Sequence, residues 1–212
     1  ESILEKNKLG YNLFNLSFYN NQLENFHSDI IASFLQPNGL HNENRMFLDN
    51  FIIFLQRELK LDIKISDFQN TKVLRENGRL DILIYDQESN NAIILENKIN
   101  DAPDMEDQLV RYNDWCIEKE YNVLAILYVT LRGIKKAPPV KYDMKEKLRN
   151  VAFFSNSSND LINGWLNKCI DTCENIDTKS LLIQYRKLVI FLAFESMENI
   201  TIEEFYGVAN EK

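Results

Sequence analysis

Three residues in this chain have the types and spacing to do chemistry together: Asp81, Glu96 and Lys98. Asp81 opens the apolar run Ile82-Leu83-Ile84-Tyr85, and the run Ala92-Ile93-Ile94-Leu95 ends in Glu96-Asn97-Lys98. Two carboxylates brought to one spot repel each other unless a cation lies between them or one holds a proton. Oxygen ligands of this kind suit a hard ion such as Mg²⁺, which takes one or two carboxylates plus water and substrate phosphate. A neighbouring lysine could orient or deprotonate a water, or stabilise charge on a phosphate. Spacing alone is equally compatible with three solvated charges at the end of a hairpin.

The elements that must position these residues are legible around them. Both runs are short and rich in β-branched residues, as buried strands are. Asp86-Gln87-Glu88-Ser89-Asn90-Asn91 between them is polar and turn-prone, so an antiparallel hairpin is expected. Asp81 near the start of one strand and Glu96 near the end of its partner then reach the same end. Glu96 and Lys98 share strand parity and so one face. Downstream, Met105, Leu109, Tyr112 and Cys116 recur at helical spacing, with Asp104 as the expected cap. Gln108 and Tyr112, four apart, face the same way on that helix.

At these residues the chain resembles the PD-(D/E)XK nuclease superfamily. Asp81 followed by Glu96-Asn97-Lys98 matches the D…(D/E)-x-K signature, with Arg79-Leu80-Asp81 in place of Pro-Asp. Gln108-Leu109-Val110-Arg111-Tyr112 matches the Q-x-x-x-Y element of a branch with bacterial members. Upstream, Leu23-Glu24-Asn25-Phe26-His27-Ser28 opens a helix that could carry the superfamily's first acidic position. The resemblance implies an α/β fold: a restriction-endonuclease-like αβββαβ core, a mixed central sheet flanked by helices, with extra C-terminal helices. It implies a Mg²⁺ ion, replaceable by Mn²⁺, held by Asp81, Glu96, the Asn97 carbonyl and Glu24. Lys98 would position or activate water, with Gln108 and Tyr112 orienting the water or the scissile phosphate. His27 is a further phosphate contact if its helix abuts the hairpin; otherwise it is a surface histidine. The implied activity is hydrolysis of phosphodiester bonds, with DNA as the expected substrate, in phage defence, restriction or DNA repair. The reading from another class is a catalytically silent nuclease-like fold that binds protein or nucleic acid.

Composition fits this without requiring it. The 212 residues are 45% hydrophobic and 26% charged, ordinary for a globular chain, and one domain spanning 1–212 is the simplest expectation. No apolar stretch is long enough to span a bilayer. Three cysteines provide no disulfide framework; Cys169 and Cys173 lie four apart, but no histidine joins them as zinc ligands. A reducing cytoplasm fits best. The net charge of −8 runs against a nucleic-acid footprint. From Arg132 to Arg149, however, seven basic residues outnumber two acidic ones, and Lys135, Lys136 and Lys141 are candidate phosphate contacts. A solvated loop is the competing account of that segment.

The rest of the chain frames the centre. Residues 1–20 alternate Asn with aromatic and aliphatic residues, Phe18 and Tyr19 among them. They could form a helix on the core, a docking arm, or a contact with a second copy or a partner protein. Helices are expected over Leu23–Phe34 and Glu43–Leu59, and a first strand over Thr71–Glu76. Leu61–Phe68 alternates in a way that could be a strand. Glu76 and Arg79 flank Gly78 close to Asp81, where a surface ion pair is expected. Tyr121–Leu131 and Val151–Phe154 are the later strands. Helices over 156–212 follow, the last about Thr178–Glu195, with Trp165, Tyr185 and Phe194 on apolar stripes.

Overall fold

The structure is a computed structural model. It describes residues 9–16, 23–75, 80–100 and 102–209, with side chains described as far as Glu195. Phe18, Tyr19, Glu76, Gly78 and Arg79 lie outside the described residues.

Five strands form one sheet in the order β1-β2-β3-β4-β5: β1 Thr71–Arg75, β2 Ile82–Asp86, β3 Asn91–Lys98, β4 Asn122–Thr130 and β5 Leu148–Ala152. The expected hairpin is present. β2 and β3 pair antiparallel with Ile82 opposite Leu95, so Asp81 and Glu96 stand one step beyond the last pair. β1 pairs antiparallel with β2, whereas β4 runs parallel to β3 and β5 parallel to β4, which makes the sheet mixed. β3 is buried from Ala92 to Lys98. A strand covered on both faces reads as a continuous apolar run, as 92–95 does.

Side-chain alternation sorts the strands into two cores. Ile82, Ile84, Ile93, Leu95, Leu127 and Val129 face one layer of helices. That layer contains α1 Glu24–Leu35, α2 Met46–Arg57, α4 Asn167–Thr172 and α5 Ile176–Ala209. Leu83, Ile94, Ile126 and Tyr128 face the other way, onto α3 Gln108–Glu118 and the loop that carries Met144. Trp165 is buried in the first layer, its indole N–H donating to the Phe47 carbonyl at 2.9 Å.

Several boundaries differ from the sequence expectation for physical reasons. α2 begins at Met46 rather than Glu43. The Glu43 carboxylate is used elsewhere, accepting the backbone N–H groups of Glu174 at 2.9 Å and Asn175 at 2.7 Å. Leu61–Phe68 contains no strand; Ile65–Phe68 is a 3₁₀ turn that buries Phe68. β5 begins three residues earlier than expected and ends two earlier. The segment after it opens on a π-helical turn, Leu161–Leu166, which runs into α4. Gly164 is required there, because a Cβ would sit 2.3 Å from the Phe54 ring. Asp160 caps the turn, accepting from the Asn163 N–H at 2.7 Å. The last helix runs from Ile176 to Ala209.

The described part of the N-terminal segment, 9–16, lies against α5. Asn12 donates to the Gln184 carbonyl at 2.8 Å, and Phe14 packs edge-on to Phe26 and Tyr185. None of the described helices is long and apolar enough to cross a membrane.

Candidate active site

The geometry follows from strand parity. Glu96 and Lys98 share a face with Ile94 and so point toward α3, as Asp81 does one step before β2. Asn97 points to the opposite face, toward α1. The site is therefore built where the end of the hairpin meets the start of α1 on one side and the start of α3 on the other.

Glu96 is 1% exposed and Lys98 6%. Lys98 Nζ lies 2.9 Å from Glu96 Oε1 and 3.9 Å from Glu24 Oε2. Gln108 Nε2 donates to the same Glu96 oxygen at 2.7 Å and to the Tyr112 hydroxyl at 2.7 Å. The amide cannot usefully turn over, because Gln108 Oε1 accepts the Met105 N–H at 3.4 Å. Asp81 Oδ2 accepts the Asn97 N–H at 2.8 Å, which locks the first carboxylate to the strand that carries the second. Arg75 Nη1 donates to the Asp81 carbonyl, and Arg75 Nε holds Asp29 of α1 at 2.7 Å.

Three carboxyls and one lysine leave this cluster short of positive charge. Burial pushes the Glu96 carboxyl up to about 8, and the neighbouring Asp81 and Glu24 reinforce this against Lys98. Burial also raises Asp81, although the Asn97 N–H, Lys98 and Arg75 oppose it. Burial raises Glu24 as well, opposed by Lys98 and reinforced by Asp81. Lys98 is pulled down by burial but raised on balance by Glu96, Glu24 and Asp81. Burial raises Tyr112 too, with Gln108 opposing and Glu96 and Asp81 adding to it. A proton held by Glu96 is one of the two ways such a pair of carboxyls can coexist.

The other way is a cation, and the residues fit one. Glu24 Oε1 and Glu96 Oε2 are buried oxygens that no hydrogen-bond donor reaches. Orphaned acceptors of this kind cost about 1–3 kcal/mol each, more when charged, and a metal ion would satisfy them. All the donors are oxygens, the set that Mg²⁺ and Mn²⁺ take. Among the described residues, no three Asp, Glu, His or Cys side chains are grouped so that they could hold a metal ion by themselves. An ion here would therefore draw on water and phosphate oxygens as well as on these carboxylates.

The predicted site residues thus divide. Asp81, Glu96, Lys98, Gln108, Tyr112 and Glu24 come together. Asn97 is in contact with them, but its side chain turns away to the other face of the sheet. There Nδ2 donates to the Glu24 carbonyl and to Ser28 Oγ, each at 2.9 Å. It clamps the first turn of α1, and with it Glu24, onto β3. His27 does not reach a phosphate. It is fully buried, with Nδ1 2.9 Å from the Tyr185 hydroxyl and its ring edge-on to Phe26 and Phe153. One helical position decides this, because His27 falls on the stripe of Ile31 and Phe34, whereas Glu24 lies at the helix end. Asp104 does not cap α3 either. The helix starts at Gln108 with Asp107 in the left-handed region at φ 50°, and Asp104 accepts the Tyr128 hydroxyl at 2.7 Å and pairs with Lys135 at 3.1 Å. Lys135 also donates to the Ala102 carbonyl, Lys136 to the Gly133 carbonyl, and Lys141 pairs with Asp114 at 2.7 Å on the surface.

Sequence reasoning missed Ser28, Arg75, Asp104 and Tyr128, which brace the site. Tyr128 stands opposite Glu96 on the neighbouring strand, so its position was implicit once β4 was known to run parallel to β3 in this register.

No curated protein and no solved structure matches the chain. The model of one family, the PD-(D/E)XK nuclease superfamily, matches residues 11–187, a span that begins in the N-terminal segment and ends within α5. The match takes in every strand of the sheet and all the residues gathered at the hairpin end, and on that extent the chain belongs to the PD-(D/E)XK nuclease superfamily.

Proposed function

We propose that the protein is a divalent-metal-dependent nuclease that hydrolyses phosphodiester bonds in DNA, working in phage defence, restriction or DNA repair within the cytoplasm. The observation that carries this reading is the pair of buried carboxylate oxygens, Glu24 Oε1 and Glu96 Oε2, that lack any donor beside Asp81 and Lys98. Asp81, Glu96, the Asn97 carbonyl and Glu24 are the groups that would hold Mg²⁺ or Mn²⁺. When bound, the ion supplies Lewis acidity toward a phosphate oxygen and a lower pKa for water.

The chain's own residues do the rest. Lys98 is charged, and its ammonium sits at the mouth of the carboxylate cluster, where it can hold a water and stabilise negative charge developing on the phosphate. Gln108 fixes Glu96 in one rotamer, and Tyr112 anchors Gln108. Asn97 and Ser28 hold Glu24 within reach. Without a cation, the proton on Glu96 and the Lys98 ammonium offset two of the three carboxyl charges.

The test is an assay of the purified protein on single- and double-stranded DNA and RNA, with Mg²⁺, with Mn²⁺ and with chelator. Cleavage should require the ion and disappear in Asp81→Asn. A protein that cuts nothing and binds no divalent ion would instead be the silent binding module, and the 2.9 Å contact of Lys98 with Glu96 would then be its permanent state.

A further inference from the structure

A cleft of about 430 Å³ is lined by Arg132, Phe154, Ser155, Asn156, Ala193 and Phe194. It opens at the same end of the sheet as the carboxylates. Lys98 pairs with Thr130 on β4, and Thr130 pairs with Ala152 on β5. Arg132 and Phe154 each lie two residues beyond those partners, and the pairing continues between them, with the Phe154 N–H donating to the Leu131 carbonyl at 3.0 Å. Adjacent strands are about 4.8 Å apart, so the strand ends that carry the cleft lie on the order of 10 Å from the Lys98 backbone.

Both walls are fixed in advance. Gly133 turns the chain after Arg132 at φ 71°, its N–H held by Thr130 Oγ1 at 3.0 Å, and a Cβ there would come within 3.1 Å of Ala152 Cβ. On the other side, buried Asp160 accepts the N–H groups of Ser155 at 2.9 Å and Ser157 at 3.1 Å, and Asn156 takes the left-handed region at φ 60°. The Phe154 and Phe194 rings meet at 61° with centroids 5.9 Å apart, both half-buried. Among the described residues Arg132 makes no ion pair or hydrogen bond, unlike Lys135, Lys136 and Lys141 in the same loop.

A cation without an acidic partner among the described residues, two half-buried rings in the cleft wall, and an amide and a hydroxyl form one set of recognition elements. The arginine matches a phosphate. The rings match a planar base, and Ser155 and Asn156 can meet its polar edge. A duplex keeps its base faces stacked inside, so only an unpaired base can present one to a phenylalanine. The volume suits one nucleotide rather than a helix.

We propose that this cleft is a subsite for an unpaired nucleotide of the substrate strand, with Arg132 on its phosphate and Phe154 and Phe194 against its base. The site thereby favours single-stranded or overhanging nucleic acid over blunt duplex. The identity of the strand as substrate rests on the nuclease reading above.

The test compares binding of a labelled single-stranded oligonucleotide and a blunt duplex of the same sequence, by anisotropy without added divalent ion. Arg132→Gln should weaken single-strand binding about tenfold and duplex binding less than about twofold. Lys72→Ala removes an exposed charge from β1 and should move neither by more than about twofold. Equal loss on both substrates, or no loss on either, overturns the proposal. In a second measurement, 2-aminopurine is placed at successive positions of the single strand. At one position its fluorescence should be quenched by the wild-type protein and recover in Phe194→Leu, which keeps an apolar side chain; no quenching at any position overturns the proposal. The two readings fail separately. A protein that binds and quenches as described but cuts nothing removes the nuclease assignment and leaves the subsite. A metal-dependent nuclease whose single-strand preference survives Arg132→Gln removes the subsite alone.

Discussion

Lys98 Nζ lies 2.9 Å from Glu96 Oε1, although the two residues are only two apart on one strand. Side chains two apart on a strand share a face but normally stand roughly parallel. Here the lysine folds back because burial leaves it few other partners. Glu24 lies 3.9 Å away, and Glu96 is anchored from behind by Gln108. Removing the ammonium should cost activity without unfolding the protein. Lys98→Ala is expected to lower kcat by about 100-fold or more, in the range seen when one preorganised electrostatic group is lost, with substrate binding changed far less. Wild-type turnover in this variant would reject the role given to Lys98.

The raised carboxyl of Glu96 makes stability depend on pH in a specific direction. Its ordinary value is 4.5 and its folded value about 8, so the folded state holds this proton more tightly than the unfolded chain does. The stabilisation is complete below about 4.5 and is lost as pH rises through about 8. Asp81 and Glu24, also raised, act in the same direction. Below this window Asp86 acts the other way: backbone N–H donors from Ser89, Asn70 and Glu88 outweigh its burial and hold it low. In chelator, the Tm should therefore fall between pH 5 and 9. Glu96→Gln should flatten that fall, and Mg²⁺ should reverse it at the alkaline end. A wild-type Tm that rises across this range would show that the cluster does not hold the proton.

Asn97 occupies the variable position of the Glu96-x-Lys98 element, yet its side chain joins β3 to α1. Asn97→Ala leaves the Glu24 carbonyl and Ser28 Oγ without that donor in a buried setting. The expected cost is about 1–3 kcal/mol of stability. Because Glu24 is released from the site, the metal concentration for half-maximal activity should also rise. Ser28→Ala removes one of the two contacts and should reproduce the stability loss only in part. If Asn97→Ala loses stability but keeps its metal dependence unchanged, Glu24 is not a ligand.

Gln108 acts through Glu96, so its variants separate positioning from chemistry. Gln108→Leu keeps the bulk and removes the donor. It should reduce metal affinity about 10- to 100-fold, as expected for a group that orients a ligand, with much of the activity restored at saturating Mn²⁺. Tyr112→Phe removes only the outer hydrogen bond and should have a smaller effect. Activity of Gln108→Leu that stays low at every metal concentration would place Gln108 on the substrate instead.

His27 provides a contrast. His27→Ala opens a cavity in the first core and breaks the contact with the Tyr185 hydroxyl. It should destabilise the fold by about 2–4 kcal/mol, the usual range for truncating a large core residue. The slope of nucleic-acid affinity against salt should not change, because no phosphate contact is lost.

The sequence alone carried the chemistry. Asp81, Glu96 and Lys98 could be placed at one end of a hairpin because strand alternation and a turn-prone link are local properties, and Gln108 with Tyr112 because helical spacing is local too. The same parity put Asn97 on the opposite face from its neighbours. Strand and helix identities near the centre followed from apolar periodicity, since β3 is continuously apolar from Ala92 to Leu95 and α3 only on one side.

What depended on distant packing was decided by the tertiary structure. Whether His27 was buried turned on α5 laying Tyr185 over α1, 158 residues away in the chain. Asp104 looked like a helix cap, but the hydroxyl of Tyr128 and the ammonium of Lys135 draw it across the site instead. Glu43 failed to start its helix because the turn before α5 competes for its carboxylate. The cleft at Arg132 has no local signature either, because its walls come from the ends of two parallel strands and from α5. The sequence thus determined which groups could react. The fold decided which of them are desolvated together, and desolvation turns three ordinary carboxyls into a site that calls for a cation.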